Sequence, residues 1–125
     1  MESNIVSLMK YLLILNDPPY GTERSYNGLR LAMSLVKDTQ NPEVRIFLLA
    51  DAVTCAVQGQ KTPEGYYNLE RMLRALITKK VLIKCCGTCL DARGFDESIL
   101  IKGVQRGSMT DLALWTAESE RVITF

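Results

Sequence analysis

Short apolar runs alternate along this chain with stretches in which apolar residues recur at helical spacing. The runs, which have the length of buried strands, are residues 9–15, 44–49, 81–83 and 122–125. Helical signals predict helices at about 22–40, 51–56, 66–78, 88–92 and 108–119. Parallel neighbouring strands need a crossover connection, and each crossover covers one face of the sheet. The alternation therefore predicts an α/β fold in which helices cover both faces of a mostly parallel sheet.

Two of the predicted helices carry a stripe of apolar residues that should face the sheet. The stripes consist of Leu29, Ala32, Met33 and Val36 in the first helix, and of Leu69, Met72, Leu73 and Leu76 in the helix at 66–78. In the helix at 66–78, Glu70, Arg71 and Arg74 point away from the stripe. These stripes and the strands form the predicted core.

The length and composition indicate one globular domain spanning residues 1–125, with residues 1–8 as a flexible extension. The chain is 47% hydrophobic, and its 15 basic and 14 acidic residues leave a net charge of +1, so no basic field indicates direct nucleic-acid binding. No apolar run approaches the roughly 18 residues of a membrane-spanning helix. Residues 1–9 lack the features of a secretory signal, so we expect a cytoplasmic protein with reduced thiols.

The sequence contains no histidine, which limits the chemistry that the chain can perform. Ser-His-Asp and Cys-His catalysis and histidine-ligated metal sites are excluded. A zinc or iron–sulfur site would need four ligands, and Cys55 would have to join the cysteines at 85, 86 and 89. Adjacent strand residues point to opposite sides, which makes that arrangement awkward for Cys85 and Cys86. We therefore predict no metal and no cofactor.

A Cys-x-x-Cys motif lies at the junction between the third predicted strand and the helix at 88–92. Unpaired amides and the positive dipole end at a helix N-terminus favour a thiolate over a thiol. Gly87 allows the backbone to approach a sulfur closely, and we expect Cys86 to be the nucleophile. Cys55 and Cys85 fit the alternative in which a cysteine simply packs as a small apolar residue. A thioredoxin-like dithiol usually follows an early strand, whereas Cys86 and Cys89 lie in the last third of the chain.

Two loops that follow strands carry most of the remaining polar candidates. Ligands in parallel sheets bind beyond the carboxyl ends of the strands, so we expect loops 16–21 and 85–94 to be neighbours. Asn16 and Asp17 then either line the cysteine pocket or serve only as turn residues. Asp91 and Arg93 either orient the cysteine loop or form an ordinary local ion pair.

Residues 86–94, Cys-Gly-Thr-Cys-Leu-Asp-Ala-Arg-Gly, resemble the cysteine loop of the DsrE/DsrF-like family. Residues 16–24 resemble the first loop of its YchN-type branch, and the resemblance covers almost the whole chain from Met9. It implies a three-layer α/β/α domain that assembles as a homotrimer or homohexamer. It also implies that Cys86 is the carrier cysteine, while Cys89 belongs to the YchN-type pattern.

The resemblance implies a sulfur carrier or sulfurtransferase-like protein that handles sulfane sulfur as a cysteine persulfide. Its partners would be sulfur donor and acceptor proteins, as in sulfur oxidation or tRNA thiolation. The predicted site comprises Cys86 and Cys89 with the supporting residues Asn16, Asp17, Gly87, Thr88 and Arg93. Two alternatives remain open at this point: a thiol–disulfide redox protein that uses the Cys86/Cys89 couple, and a non-catalytic oligomeric binding module.

Overall fold

The computed structural model describes residues 8–125, which form a five-stranded sheet of parallel strands in the order β4-β3-β2-β1-β5. The extension predicted for residues 1–8 lies outside the described residues except for Leu8, which is exposed. The strands are β1 Met9–Leu15, β2 Pro42–Leu48, β3 Leu82–Cys86, β4 Val104–Gly107 and β5 Arg121–Thr124. The α-helices are α1 Arg24–Asp38, α2 Leu69–Thr78, α3 Gly87–Ala92 and α4 Met109–Glu118, and two 3-10 helices span Ala50–Ala56 and Glu97–Ile99.

The order of the strands explains why helices cover both faces. From β1 to β4 the chain moves steadily toward one edge, and α1 and α2 pack against each other on the face that these crossovers cover. The connection from β4 through α4 to β5 returns past the whole sheet in the opposite direction. Because crossovers between parallel strands are right-handed, this reversal puts α4 on the other face. The predicted three-layer α/β/α fold is confirmed.

The core lies on both sides of the two central strands. Leu12, Leu13 and Leu15 of β1 and residues 46–48 of β2 are fully buried. On one face the helical stripes contribute Leu29, Ala32, Leu69, Leu73 and Leu76, as their spacing predicted. On the other face the Trp115 ring of α4 meets the Phe47 ring edge-on, with the ring centroids 6.2 Å apart.

The predicted elements differ from the observed ones mainly at their ends. β4 has no counterpart in the sequence prediction, because residues 104–107 contain a single large apolar side chain. β3 continues to Cys86 rather than ending at residue 83, since its last residues pair with β4. α2 begins at Leu69 because the Asn68 side chain caps the amide of Arg71, and residues 66–67 therefore precede the helix. None of the helices within residues 8–125 has the length and hydropathy needed to cross a bilayer.

Candidate functional site

Cys86 is both the last residue of β3 and the residue that caps α3. Its Sγ accepts a hydrogen bond from the amide of Cys89 at 3.3 Å and contacts the Thr88 hydroxyl oxygen at 3.2 Å. The strand fixes the direction of the side chain, and the first turn of α3 turns its donors toward the sulfur. The strand–helix junction predicted from the sequence therefore provides hydrogen bonds that a thiolate can accept.

The two cysteines of the motif have pKa values that move in opposite directions. Burial raises the pKa of the Cys86 thiol, but hydrogen bonds from Cys89 and Thr88 outweigh that effect and leave its pKa below the ordinary thiol value. Burial and the hydrogen bond to Cys86 both raise the pKa of Cys89, while the amide of Ala50 opposes them. The pair titrates together, and its first proton leaves Cys86 while Cys89 keeps its own. Cys86 is thus the more acidic thiol of the pair.

Cys89 is held by a segment outside its own helix. Its Sγ accepts a hydrogen bond from the backbone amide of Ala50 at 3.3 Å. Ala50 begins the 3-10 helix after β2 and has a φ of 51°, in the left-handed region that non-glycine residues seldom adopt. This backbone turn, which follows directly from β2, aims the amide at the sulfur.

Arg93 joins the cysteine helix to the same 3-10 helix. Its guanidinium donates to the carboxylate of Asp51 at 2.6 Å and to the carbonyl oxygen of Cys89 at 3.0 Å. The ion pair is partly exposed, so we expect a modest contribution to stability. Its structural effect is to hold the α3 turn that carries Cys89 against the segment that carries Ala50. Asp51 lies in the first turn of that 3-10 helix, so the ion pair joins the two helices directly.

Arg106 of β4 lies over the first turn of α3. Its guanidinium forms two hydrogen bonds with the Asp91 carboxylate, at 2.7 and 3.0 Å, and lies 3.9 Å from Glu97. A Cβ atom on Gly87 would come within 2.5 Å of the Arg106 Nε. Glycine at position 87 is therefore what allows the guanidinium to lie over the backbone beside Cys86.

A cleft of about 190 Å³ opens beside Cys86. Its walls come from the first turn of α3, from the end of β4 and from the start of α4. The lining residues are Cys86, Gly87, Thr88, Arg106, Gly107, Ser108 and Met109. Such a volume accommodates a small molecule or the end of an extended side chain, and Cys86, which is only 6% exposed, forms part of its wall.

The comparison with known proteins identifies the family. The model of the DsrE/DsrF-like family matches residues 9–125. The chain belongs to the DsrE/DsrF-like family. It is 42% identical over 118 residues to the protein YchN of Escherichia coli. The alignment covers 94% of this chain and 100% of YchN.

Solved structures support the same assignment to the DsrE/DsrF-like family. The crystal structure of YchN from Escherichia coli has a TM-score of 0.88 at 43% identity and covers 94% of this chain and 99% of that one. The structure of MTH1491, a protein of unknown function from Methanobacterium thermoautotrophicum, has a TM-score of 0.79. The superposition covers 94% of this chain and 99% of MTH1491. Because the identity is 14%, this similarity shows the fold alone. The resemblance read from the two loops is confirmed.

The DsrE-like strand order separates the two loops that we expected to be neighbours. β2 lies between β1 and β3, so the 3-10 helix after β2 comes between loop 16–21 and the cysteine loop. The Asn16 side chain donates to the carbonyl oxygen of Phe125, beside β5. The Asp17 carboxylate accepts a hydrogen bond from Thr22 at 3.0 Å. The structure brings Cys86, Gly87, Thr88, Cys89 and Arg93 together, and it gives Asn16 and Asp17 other partners.

The other two cysteines are enclosed in the core. Cys55 and Cys85 are both fully buried, and burial raises the pKa of each thiol to about 12. Cys85 precedes Cys86 in β3 and points to the other side of the strand, as the alternation of strand side chains requires. Within residues 8–125, no three carboxylate or thiol side chains converge as a metal site would need. Both cysteines fit the packing role that the sequence favoured for them.

The sequence did not show which groups would contact the polar residues around Cys86 and Cys89. Asp91 pairs with Arg106, and Arg93 pairs with Asp51, so the local ion pair considered between Asp91 and Arg93 does not occur. The Ala50 amide also contacts the site, but no side-chain pattern could indicate it. The only available signal for Arg106 was its charge, because the strand that carries it was not predicted.

The Thr88 hydroxyl gives a direct test of how the Cys86 thiolate is stabilised. We expect Thr88→Val, which keeps the shape of the side chain but removes the hydroxyl, to raise the pKa of Cys86. Loss of one hydrogen bond worth about 1 kcal/mol should slow alkylation of Cys86 at pH 7 by about two- to threefold, because the greater reactivity of a more basic thiolate offsets part of the roughly fivefold loss of thiolate. The pH profile of alkylation, read by mass spectrometry, measures both effects. Thr110→Val, at an exposed position of α4, is the control. An unchanged pH profile in Thr88→Val would show that the Thr88 hydroxyl does not stabilise the Cys86 thiolate.

Proposed function

We propose that this protein is a sulfur carrier in which Cys86 holds sulfane sulfur as a persulfide. The observation that carries the proposal is the Cys86 sulfur, which caps α3, accepts hydrogen bonds from its first turn and lines a small cleft. This arrangement favours a thiolate that a sulfur donor can reach. Membership of the DsrE/DsrF-like family supports a role in sulfur relay.

Loading would proceed as a thiolate exchange. The Cys86 thiolate attacks the outer sulfur of a donor persulfide, a new S–S bond forms, and the S–S bond of the donor breaks to release the donor thiolate. Cys86 then carries one additional sulfur atom. A thiolate on an acceptor protein can attack that terminal sulfur and regenerate the Cys86 thiolate. Neither step needs an external oxidant or reductant.

Cys89 would provide a second outcome for the loaded protein. Its sulfur attacks the inner sulfur of the Cys86 persulfide, which forms a Cys86–Cys89 disulfide and releases hydrosulfide, while the Cys89 proton leaves with the hydrosulfide. The hydrogen bond from the Cys89 amide to the Cys86 Sγ, at 3.3 Å, supports this step, because it holds the two residues together in the first turn of α3. The same contact favours the second candidate function, a thiol–disulfide redox protein.

Mass spectrometry of the intact protein after incubation with glutathione persulfide tests the proposal. We expect the chain to gain one sulfur atom, to lose this gain in Cys86→Ser and to keep it in the matched control Cys55→Ser. In Cys89→Ser the persulfide should persist longer, because hydrosulfide can no longer be released by disulfide formation. A Cys86–Cys89 disulfide in the unmodified sequence, together with no sulfur gain in Cys89→Ser, would favour the redox protein. Absence of both products would overturn the proposal and favour a binding module.

We also propose that the protein works as a homotrimer or homohexamer in the cytoplasm. Support for assembly comes from apolar side chains that a single chain leaves exposed, namely Leu82, Met109, Leu114 and Val122. Support for the compartment comes from four cysteines that are all free thiols. Light scattering coupled to size exclusion tests the assembly, and a mass equal to one chain at every concentration would contradict it.

A further inference from the structure

Four tyrosines form a stack on the surface near the N-terminus of α1, away from Cys86. The Tyr67 ring lies 3.9 Å from Tyr26, 5.9 Å from Tyr20 and 6.1 Å from Tyr66, between ring centroids. All three partners lie within 26° of the plane of Tyr67. Clefts of about 510 and 350 Å³ adjoin this stack and share Glu23, Tyr66 and Tyr67 as lining residues. We call this region the tyrosine cleft; its volume is typical of a small-molecule site.

The inner wall of the tyrosine cleft is held in place. The Tyr20 hydroxyl donates to Gln60 at 2.6 Å and accepts a hydrogen bond from the amide of Leu69 at 3.1 Å. The Gln60 side chain in turn donates to the carbonyl oxygens of Cys55 and Val57. A ligand would therefore meet a surface that is already ordered, so binding would not cost the conformational entropy of ordering this wall.

One ring of the stack is free to accept a ligand. Tyr26 is covered by Tyr67 and by the Arg30 guanidinium, whose central carbon lies 5.5 Å from the Tyr26 centroid. Tyr66, by contrast, is 64% exposed. The position of Arg30 shows that a planar cation already stacks on one of these rings. Tyr66 offers the same kind of surface, and among the residues that the structure describes no cation lies over it.

Glu23 supplies a negative charge at the same place. It holds the N-cap position of α1, but its side chain makes no capping hydrogen bond. Within residues 8–125 its carboxylate forms no ion pair, and the adjacent residue Arg24 pairs with Asp17 at 3.9 Å. Burial raises the pKa of Tyr67, and the charge of Glu23 raises it further, which indicates that this charge acts on the ring stack.

We propose that the tyrosine cleft binds a small planar aromatic cation, which stacks on Tyr66 and directs its charge toward Glu23. Electron-rich ring faces and an unpaired carboxylate favour a cation over a neutral ring, and they disfavour an anion. The proposal does not depend on Cys86, so the sulfur-loading experiment and the binding experiment can fail independently.

Three probes that share one ring but differ in charge test the proposal: 1-methylnicotinamide, nicotinamide and nicotinate. Each is titrated into the full-length protein, and amide shifts are followed by NMR. We expect the cation to bind about two- to fivefold more tightly than the neutral amide, as cation–π contacts at exposed sites do, and the anion to bind more weakly than both. The shifts should concentrate in residues 20–26 and 65–67.

Three variants separate the contributions of charge and stacking. Glu23→Gln should reduce the preference for the cation over nicotinamide, while the affinity for nicotinamide stays the same. Tyr66→Ala should weaken both. Glu64→Gln removes an exposed carboxylate that does not line the cleft, and it should change neither. Equal affinities for the three probes, or no binding, would overturn the proposal. The proposal would also be overturned if the probes did not bind and Tyr66→Ala formed a smaller assembly than the unmodified protein. The cleft would then be a contact between copies of the chain.

Discussion

At pH 7, iodoacetamide is expected to alkylate Cys86 at least about fiftyfold faster than Cys55 or Cys85. A thiol whose pKa is raised from 9.0 to about 12 is ionised about a thousandfold less at pH 7 than an ordinary thiol. The greater intrinsic reactivity of a more basic thiolate recovers roughly twentyfold of this difference. Because Cys55 and Cys85 are fully buried while Cys86 lines a cleft, access increases the contrast further.

Cys89 makes this experiment decisive, because exposure and ionisation lead to opposite expectations. Cys89 is more exposed than Cys86, so exposure alone would make it react faster. Its pKa is raised and that of Cys86 is lowered, so ionisation makes Cys86 react faster. The rate at Cys86 should also reach its plateau at a lower pH than that of an ordinary thiol. Site-resolved mass spectrometry over a pH series measures each rate, and similar rates for all four cysteines in concentrated urea provide the control.

Two results would contradict this description of the site. Faster alkylation of Cys89 than of Cys86 would mean that the ionisation of Cys86 does not outweigh the greater exposure of Cys89. A plateau for Cys86 at or above the pH expected of a free thiol would mean that the donors in α3 do not stabilise its thiolate. Either result would remove the physical basis for Cys86 as a sulfur carrier.

Replacing Phe47 with alanine is expected to lower the free energy of unfolding by about 3–5 kcal/mol, the usual effect of removing a buried aromatic ring. Phe47 is fully buried in β2, and its ring approaches Trp115 of α4 edge-on. The ring also fills the space beside Gly107, where a Cβ atom would come within 3.0 Å of it. The loss would be a large part of the 5–15 kcal/mol that stabilises a typical domain.

Urea unfolding at a fixed protein concentration measures this loss, since assembly would make stability depend on concentration. Tyr66→Ala is the matched control, because it removes an aromatic ring of similar size from an exposed position and should cost less than about 1 kcal/mol. Phe47→Leu, which keeps most of the buried volume, should cost less than about 1.5 kcal/mol. If Phe47→Ala cost no more than Tyr66→Ala, α4 would not pack on the sheet as described.

The sequence predicted those parts of the fold that depend on local pattern. β1 spans the residues expected of it, and the buried stripes of α1 and α2 follow their helical spacing. Cys86 likewise lies at the junction of a strand and a helix, as the apolar run and the helical signal that follows it predicted. Periodicity reports which side of an element is buried, so these features needed no knowledge of the neighbouring elements.

Features that depend on the order of the strands could not be predicted. β4 is an edge strand held mainly by backbone pairing with β3, so its sequence lacks a clear apolar pattern. Without β4, the contact of Arg106 with Asp91 had no visible cause. The contact of Asn16 with Phe125 depends on β5 pairing with β1, a long-range choice that no local signal records.

The space above Gly87 makes positions 87 and 106 interdependent. A methyl group at 87 and a guanidinium from 106 would occupy the same volume, because the Cβ would come within 2.5 Å of the arginine Nε. A double-mutant cycle should therefore show that Gly87→Ala is better tolerated together with Arg106→Ala than alone. In evolutionary terms, a homologue with a bulkier residue at the position of Gly87 should have a shorter residue at the position of Arg106.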